Sequence, residues 1–195
     1  MDTALTDDER RAAKRALRQQ ALDARAGLAD RAAREAAITA AIAGLAARTP
    51  EAVVAAYAAM GDEFDPLPGL RHHRGPIVLP VVVRPRQPLV FREWREGEAM
   101  DAGVFGTRHP PESAPVLRPQ LVLCPLAGFD ATGNRLGYGG GFYDRTLAAL
   151  RAGGPVTAVG LAFNVQEVGV IPVEPTDERL DAIITEDGLR RFRDA

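Results

Sequence analysis

The sequence predicts a single α/β domain, residues 1–195, with a mostly parallel sheet. Three observations predict it. Apolar runs of strand length at Val53–Ala58, Ile77–Val83, Leu89–Trp94, Leu121–Pro125, Val156–Phe163 and Leu180–Thr185 are separated by helical patterns or long loops. Leu121–Pro125 is continuously apolar, the pattern of a central strand buried on both faces. No internal repeat and no domain linker interrupts the chain.

Each element has a local reason. Thr6-Asp7-Asp8-Glu9 has the Ser/Thr-x-x-Glu form of a capping box, which marks a helix start. Ala12, Ala13, Ala16, Leu17, Ala21 and Leu22 continue that helix at its own spacing. Lys14 and Arg18 are four apart and share a face, where like charges repel mildly unless an anion lies between them. The ordinary reading of such a pair is a solvated basic face. A second helix is expected over Leu28 to Arg48, ended by Thr49-Pro50.

The loop Met60-Gly61-Asp62-Glu63-Phe64-Asp65 follows the first strand, at the sheet edge where α/β proteins gather ligands. Asp65 is accounted for as the N-cap of a short helix from Pro66 to His73. Turn chemistry does not call for Glu63, which makes it a candidate binding residue. His72, His73 and His109 read as surface residues. Adjacent helical positions point about 100° apart, and His109 is distant in sequence.

Gly103–Pro111 is a long, Pro-rich loop, and long loops in compact domains are often functional. Trp94 and Phe105 are candidates for lining an aromatic ligand, or for the core. Cys124 lacks the histidine partner a nucleophile needs and reads as buried and inert. Asp130 is a candidate for orienting the loop that follows it. After the last strand, Glu186 to Arg193 is expected to form a closing helix.

The stretch Gly133-Asn134-Arg135-Leu136-Gly137-Tyr138-Gly139-Gly140-Gly141-Phe142-Tyr143-Asp144-Arg145 carries the chemistry. Its glycines permit positive φ and close backbone approach to a ligand. The helical pattern from Phe142 to Leu150 begins where they end, so backbone N–H groups cluster at a helix start, a ready site for phosphate. Arg135 and Arg145 can add charge-assisted bonds to phosphate oxygens. Asp144, in the first helical turn, suits the dipole or can carry magnesium. The stretch has neither the Gly-Lys-Ser/Thr of a Walker loop nor the G-x-G-x-x-G of a dinucleotide fold. A flexible glycine turn with a capping Asp is the bland alternative.

Composition narrows the class. With 46% hydrophobic and 26% charged residues the chain is ordinary for a globular protein, and its net charge of −2 gives no global field for nucleic acid. One cysteine fits a reducing compartment. The acidic N-terminus is not a signal peptide, and no segment is long and apolar enough to span a membrane. A cytoplasmic protein, a monomer without membrane or nucleic-acid partners, is the expectation.

Read together, these segments resemble the 5-formyltetrahydrofolate cyclo-ligase (5,10-methenyltetrahydrofolate synthetase) family over most of the chain. The matching elements stand in family order. They are Lys14-Arg15-Ala16-Leu17-Arg18, Met60-Gly61-Asp62-Glu63, Cys124–Asp130, Gly133–Arg145, Gly160-Leu161-Ala162-Phe163, and Pro172–Asp177 followed by Asp181–Thr185. The resemblance implies a three-layer α/β/α arrangement of the NagB/RpiA/CoA transferase-like type. It also implies ATP- and magnesium-dependent closure of 5-formyltetrahydrofolate to 5,10-methenyltetrahydrofolate, with release of ADP and phosphate. The substrate is a folate, free or polyglutamylated.

Carried onto this sequence, the resemblance makes Lys14 and Arg18 ligands of the ATP phosphates. Arg135, Leu136, Gly137, Tyr138, Gly139, Gly140, Gly141, Phe142 and Tyr143 become the nucleotide loop, with Arg135 and Arg145 as catalytic cations. Asp144 and Asp177 become the magnesium ligands. Glu63 becomes the folate-contacting carboxylate, and Tyr138 through Phe142 border the folate. Phe142, Tyr143, Phe105 or Trp94 are candidates to stack on the ring. The sequence departs from the family pattern at Thr176, where many relatives carry His, and at Gly140, where some carry Lys. Two alternatives remain open. One is a non-catalytic folate- or nucleotide-binding member of the same fold. The other is a sugar-phosphate isomerase or CoA-transferase on a related fold, with Glu63 as its acid/base or acyl acceptor.

Overall fold

The computed structural model describes residues 5–192, apart from the side chain of Phe105. Its central sheet contains β1 (Val54–Ala55), β2 (Ile77–Val81), β3 (Val90–Trp94), β4 (Leu121–Pro125), β5 (Thr157–Leu161), β6 (Ala182–Thr185) and β7 (Gly188–Arg191). The spatial order is β7-β6-β5-β4-β1-β2-β3. The four inner ladders are parallel, and the edge pairs β2–β3 and β6–β7 are antiparallel. From β1 the chain builds outward to β2 and β3, then returns to β4 on the other side of β1. The strand order therefore reverses between β1 and β4.

Side chains of a strand alternate between faces, so each continuous apolar run feeds two cores. Leu121 and Leu123 of β4 join Val54, Leu79, Val159 and Ile184 in one core, covered by Ile38, Ile42 and Ala46 of α2 (Arg31–Ala47). Val122 and Cys124 join Ala55, Val78, Ala158 and Ile183 in the other, covered by Leu147 of α3 (Phe142–Ala152). Helix, sheet and helix make the three layers. Burial pushes the Cys124 thiol up to about 12, so it behaves as a small hydrophobe.

Helix α1 (Asp7–Ala26) opens with the expected capping box, Glu9 N donating to Thr6 Oγ1 at 3.3 Å and Thr6 N to Glu9 Oε2 at 2.8 Å. It covers neither sheet face. Leu17 and Ala21 pack with Leu136, Val168 and Ile171 in a separate cluster beside the sheet. Leu136 belongs to a two-stranded ribbon in which Gly128–Phe129 pairs with Arg135–Leu136.

Gly160 shows how tightly the α3 side is filled. A Cβ there would meet Ile183 Cδ1 and Leu180 Cδ1 at 2.7 Å and Leu126 Cδ2 at 2.8 Å. Overpacking of this kind costs about 1–3 kcal/mol. Gly160→Ala should therefore lower the Tm by several degrees, and an unchanged Tm would show that these side chains yield freely.

The structure corrects several expectations. Glu186 to Arg193 does not form a helix; among the described residues it holds β7, paired with β6 around a tight turn in which Gly188 has φ 103°. Asp187-Gly188, following the apolar run Ala182–Ile184, is a hairpin signal that outweighs the helical spacing. The short helix at Pro66–His73 is a 3-10 turn at Leu67–Leu70, with Asp65 Oδ1 accepting from Leu67 N at 3.0 Å. His72 is exposed, but the half-buried His73 and His109 each hold a backbone carbonyl through one ring nitrogen.

Candidate functional site

The reversal of strand order leaves a crevice outside the carboxyl ends of β1 and β4, where parallel sheets of this kind take ligands. A cavity of about 370 Å³ opens there. The segment after β1 supplies Tyr57, Met60 and Glu63, and the glycine loop and the start of α3 supply most of the opposite wall. All three tyrosines of the chain, Tyr57, Tyr138 and Tyr143, line this one space. Burial holds the Tyr57 and Tyr143 hydroxyls well above their ordinary range, so both stay protonated. The Tyr143 hydroxyl is buried without a hydrogen-bond partner. A buried donor is expensive to leave unpaired, so a ligand acceptor in the cavity is its natural partner.

Asp130 fixes the loop, as its place in the sequence suggested. The buried carboxylate accepts from Thr132 N at 2.9 Å, Asn134 N at 3.0 Å, Asn134 Nδ2 at 2.9 Å and Ile171 N at 3.1 Å. Burial works against its charge, but these donors prevail and hold the Asp130 carboxyl below its usual range. The tied turn delivers Arg135. Beyond it the chain turns at Gly139 (φ 94°) and Gly141 (φ 62°), in the left-handed region that favours glycine. Gly141 is the N-cap of α3 and has no side chain to cap the first-turn N–H groups.

Two cation–carboxylate groups stand beside the loop. Arg135 Nη2 donates to Asp144 Oδ1 at 2.8 Å, and its Nη1 donates to the Glu178 carbonyl. Glu178 N in turn donates to Asp144 Oδ1 at 3.1 Å, so Asp144 is brought to the residue next to Asp177. Lys14 Nζ holds Asp177 Oδ2 at 2.6 Å and Glu174 Oε2 at 2.7 Å. Arg18 Nε donates to the Gly137 carbonyl at 2.6 Å. Burial and the neighbouring Arg15 lower the Arg18 pKa.

Other expected site residues lie elsewhere. Leu136 is buried in the cluster under α1 and meets the site only through its backbone. Arg145 is turned back on its own loop, donating to the Gly140 carbonyl, with its guanidinium 5.4 Å from the Phe142 ring centre. Trp94 lines a separate cleft of about 580 Å³ with Arg71, His73 and Arg95, away from the glycine loop, so it cannot stack on a ligand in the cavity. The side chain of Phe105 lies outside the described residues. Among the described residues no group of three or more His, Cys, Asp or Glu is arranged to hold a metal ion.

Sequence reasoning missed Arg25. It is 5% exposed and reaches Asp62 Oδ1 at 2.6 Å and the Tyr138 hydroxyl at 3.0 Å. A signal was present: Arg25 lies eleven residues from Lys14, three whole helical turns, on the same stripe.

Fold and site together define a class: α/β proteins with a cavity at the switch point of a parallel sheet, against a glycine loop. A sequence model of the 5-formyltetrahydrofolate cyclo-ligase family matches residues 10–186, and the chain belongs to that family. It is 44% identical over 71 residues to the 5-formyltetrahydrofolate cyclo-ligase of Escherichia coli K12, covering 36% of this chain and 38% of that protein. To the Haemophilus influenzae 5-formyltetrahydrofolate cyclo-ligase it is 36% identical over 100 residues, 49% of this chain and 53% of that one. The chain thus spans about two fifths to one half of the length of these curated relatives. Its fold matches the 5,10-methenyltetrahydrofolate synthetase of Mycoplasma pneumoniae with a TM-score of 0.70 at 23% identity, over 89% of this chain and 98% of that one. It matches that of Aquifex aeolicus with a TM-score of 0.71 at 24% identity, over 93% and 94% of the two chains. Among the described residues no helix is long and apolar enough to cross a membrane.

Proposed function

We propose that this chain closes the ring of 5-formyltetrahydrofolate to 5,10-methenyltetrahydrofolate at the expense of ATP, with magnesium. The observation that carries the reading is the shared position of two different environments. An aromatic cavity with Glu63 at one side and Asp144 at the other adjoins a glycine loop with cations and carboxylates on its flank. A folate ring and a nucleotide triphosphate need those two environments within bonding distance of each other.

A formamide carbonyl is a poor electrophile and its oxygen a poor leaving group. In the proposed reaction that oxygen attacks the γ-phosphorus of ATP and ADP leaves. Nitrogen 10 of the folate then attacks the activated carbon, and phosphate departs. The chemistry asks for positioning and charge neutralisation rather than a protein nucleophile. Backbone N–H groups of Gly139–Phe142 cradle phosphate, Lys14 and Arg18 neutralise it, and Arg135 fixes Asp144. Arg145 braces the loop from outside the cavity. The carboxylates fit a hard cation: magnesium is held by one or two carboxylates together with substrate phosphates. Asp144 and Asp177 are the two that would hold it, and there it would neutralise charge on the transferring group.

The Glu63 carboxylate suits the amino and ring N–H donors of a pterin. Glu63→Gln should raise the KM for the folate at least tenfold and leave the KM for ATP within about twofold, since exchanging an acceptor for a donor loses a charged hydrogen bond of roughly 1.5–3 kcal/mol. Equal changes in both constants would refute the assignment. The reaction itself is tested by near-ultraviolet absorbance. A longer-wavelength methenyl band that grows only with folate, ATP and magnesium all present supports the proposal. A flat trace with ATP still bound favours a non-catalytic nucleotide-binding protein on this fold.

A further inference from the structure

We propose that Arg25 is a positioning residue for the folate end of the site, acting through Tyr138 to hold the cavity wall beside Glu63. This rests on the folate reading above. Arg25 and Ala21 are the buried residues of α1, and Arg25 is in its last turn. A cation there gains from the helix dipole while remaining in water. Burying its guanidinium costs several kcal/mol unless the partners are good, so the burial itself requires an explanation.

The partners supply one. Nη2 donates to Asp62 Oδ1 at 2.6 Å and Nη1 to the Tyr138 hydroxyl at 3.0 Å. Arginine has no acceptor, so the Tyr138 oxygen must accept, and its only proton is left for another group. Glu63, a carboxylate acceptor, lines the same cavity as Tyr138. Glu63 Oε2 accepts from Met60 N at 2.9 Å. The carboxylate is thus held by its own backbone turn, and Arg25 holds the tyrosine on the wall of the same cavity.

Asp62 completes the device. Its carboxyl is held below the usual range by the Arg25 hydrogen bond. Its charge offsets that of Arg25, so the guanidinium does not draw Glu63 away from a ligand. Tyr138 is 47% exposed. Without Arg25 its ring would be free to swing across the cavity beside Glu63. A ligand with adjacent N–H donors needs a carboxylate in one plane, and a misplacement of about 1 Å can cost on the order of a hundredfold.

The test is calorimetric binding of 5-formyltetrahydrofolate and, separately, of magnesium-ATP to the wild type, Arg25→Met, Tyr138→Phe and the double variant. Arg25→Met should weaken folate binding by about ten- to a hundredfold and ATP binding by less than about threefold. Tyr138→Phe should do the same, and the double variant should be no worse than the more affected single one, because both act along one path. Additive losses, or equal losses for both ligands, overturn the proposal. Should Arg25→Met not fold, Tyr138→Phe decides alone: unchanged folate binding sinks the idea. A wild type that binds ATP and no folate refutes the folate reading, and this proposal with it. A wild type that binds folate, with an Arg25→Met variant that binds it equally well, refutes the proposal alone.

Discussion

Lys14→Met should cut kcat/KM for ATP by a factor on the order of 10²–10³, the roughly 3–4 kcal/mol that a preorganised electrostatic donor supplies to a transition state. The KM for the folate should move little. Burial disfavours the charge on Lys14, but the hydrogen bonds it donates to Asp177 and Glu174 outweigh it and hold the ammonium above its ordinary range. It is therefore fully charged when phosphate arrives. Lys14 donates to Asp177 Oδ2, an oxygen of one of the two carboxylates proposed to hold magnesium. Magnesium held there would compete with the ammonium for that carboxylate, and the phosphates of ATP would draw Lys14 away from it. A second effect of opposite sign follows: Lys14→Met should bind magnesium alone more tightly than the wild type, because both carboxylates are released. A folded variant whose kcat/KM for ATP stays within twofold of wild type would remove Lys14 from the phosphate site.

Arg135→Ala is the second large effect, and it should show in both turnover and stability. The Arg135 side chain is 4% exposed and joins the glycine loop to Glu178 and Asp144. Removing one partner of a buried pair costs about 3–5 kcal/mol. The low end of that range applies, since the Asp144 side chain keeps 27% of its exposure. Turnover should fall by about 10²–10³ at temperatures where the variant remains folded. The Tm should also fall, by several degrees. Arg135→Lys should recover part of the Tm and little of the turnover, since an ammonium cannot span both acceptors as the planar guanidinium does. Near-normal turnover in a folded Arg135→Ala variant would exclude the role.

The parallel sheet and both faces of its core were legible in the sequence, because continuous apolar runs such as Leu121–Cys124 have few other ways to be buried. The glycine loop was legible for a similar reason: Gly139 and Gly141 occupy left-handed conformations that favour glycine. The terminal hairpin was not. Leu189 and Phe192 are three apart and fit a helix, and only Asp187-Gly188 argued for a turn. Partnerships across the fold were also hidden. Lys14 reads as a solvated charge until residues 160 and 163 positions away close upon it. Arg25 reads as an ordinary basic residue at a helix end until Asp62 and Tyr138 enclose it. The aromatic candidates divided according to strand position. Trp94 ends an edge strand far from the reversal of strand order, whereas Phe142 and Tyr143 begin the helix beside it.

Helix α1 lies outside the α2, sheet and α3 layers, yet it carries Lys14, Arg18 and Arg25. Eleven residues of helix separate the first from the last, a rigid strut about 16 Å long. One end meets the carboxylates proposed for the nucleotide, the middle meets the glycine loop, and the other end meets the loop after β1. Detaching α1 would dismantle both halves of the site and leave the two sheet cores intact. Local opening of this one element is then an off state that requires no global unfolding. Whatever occupies the cavity adds its binding free energy to the docking of α1, so the two proposed substrates would be linked through the helix even where they do not touch.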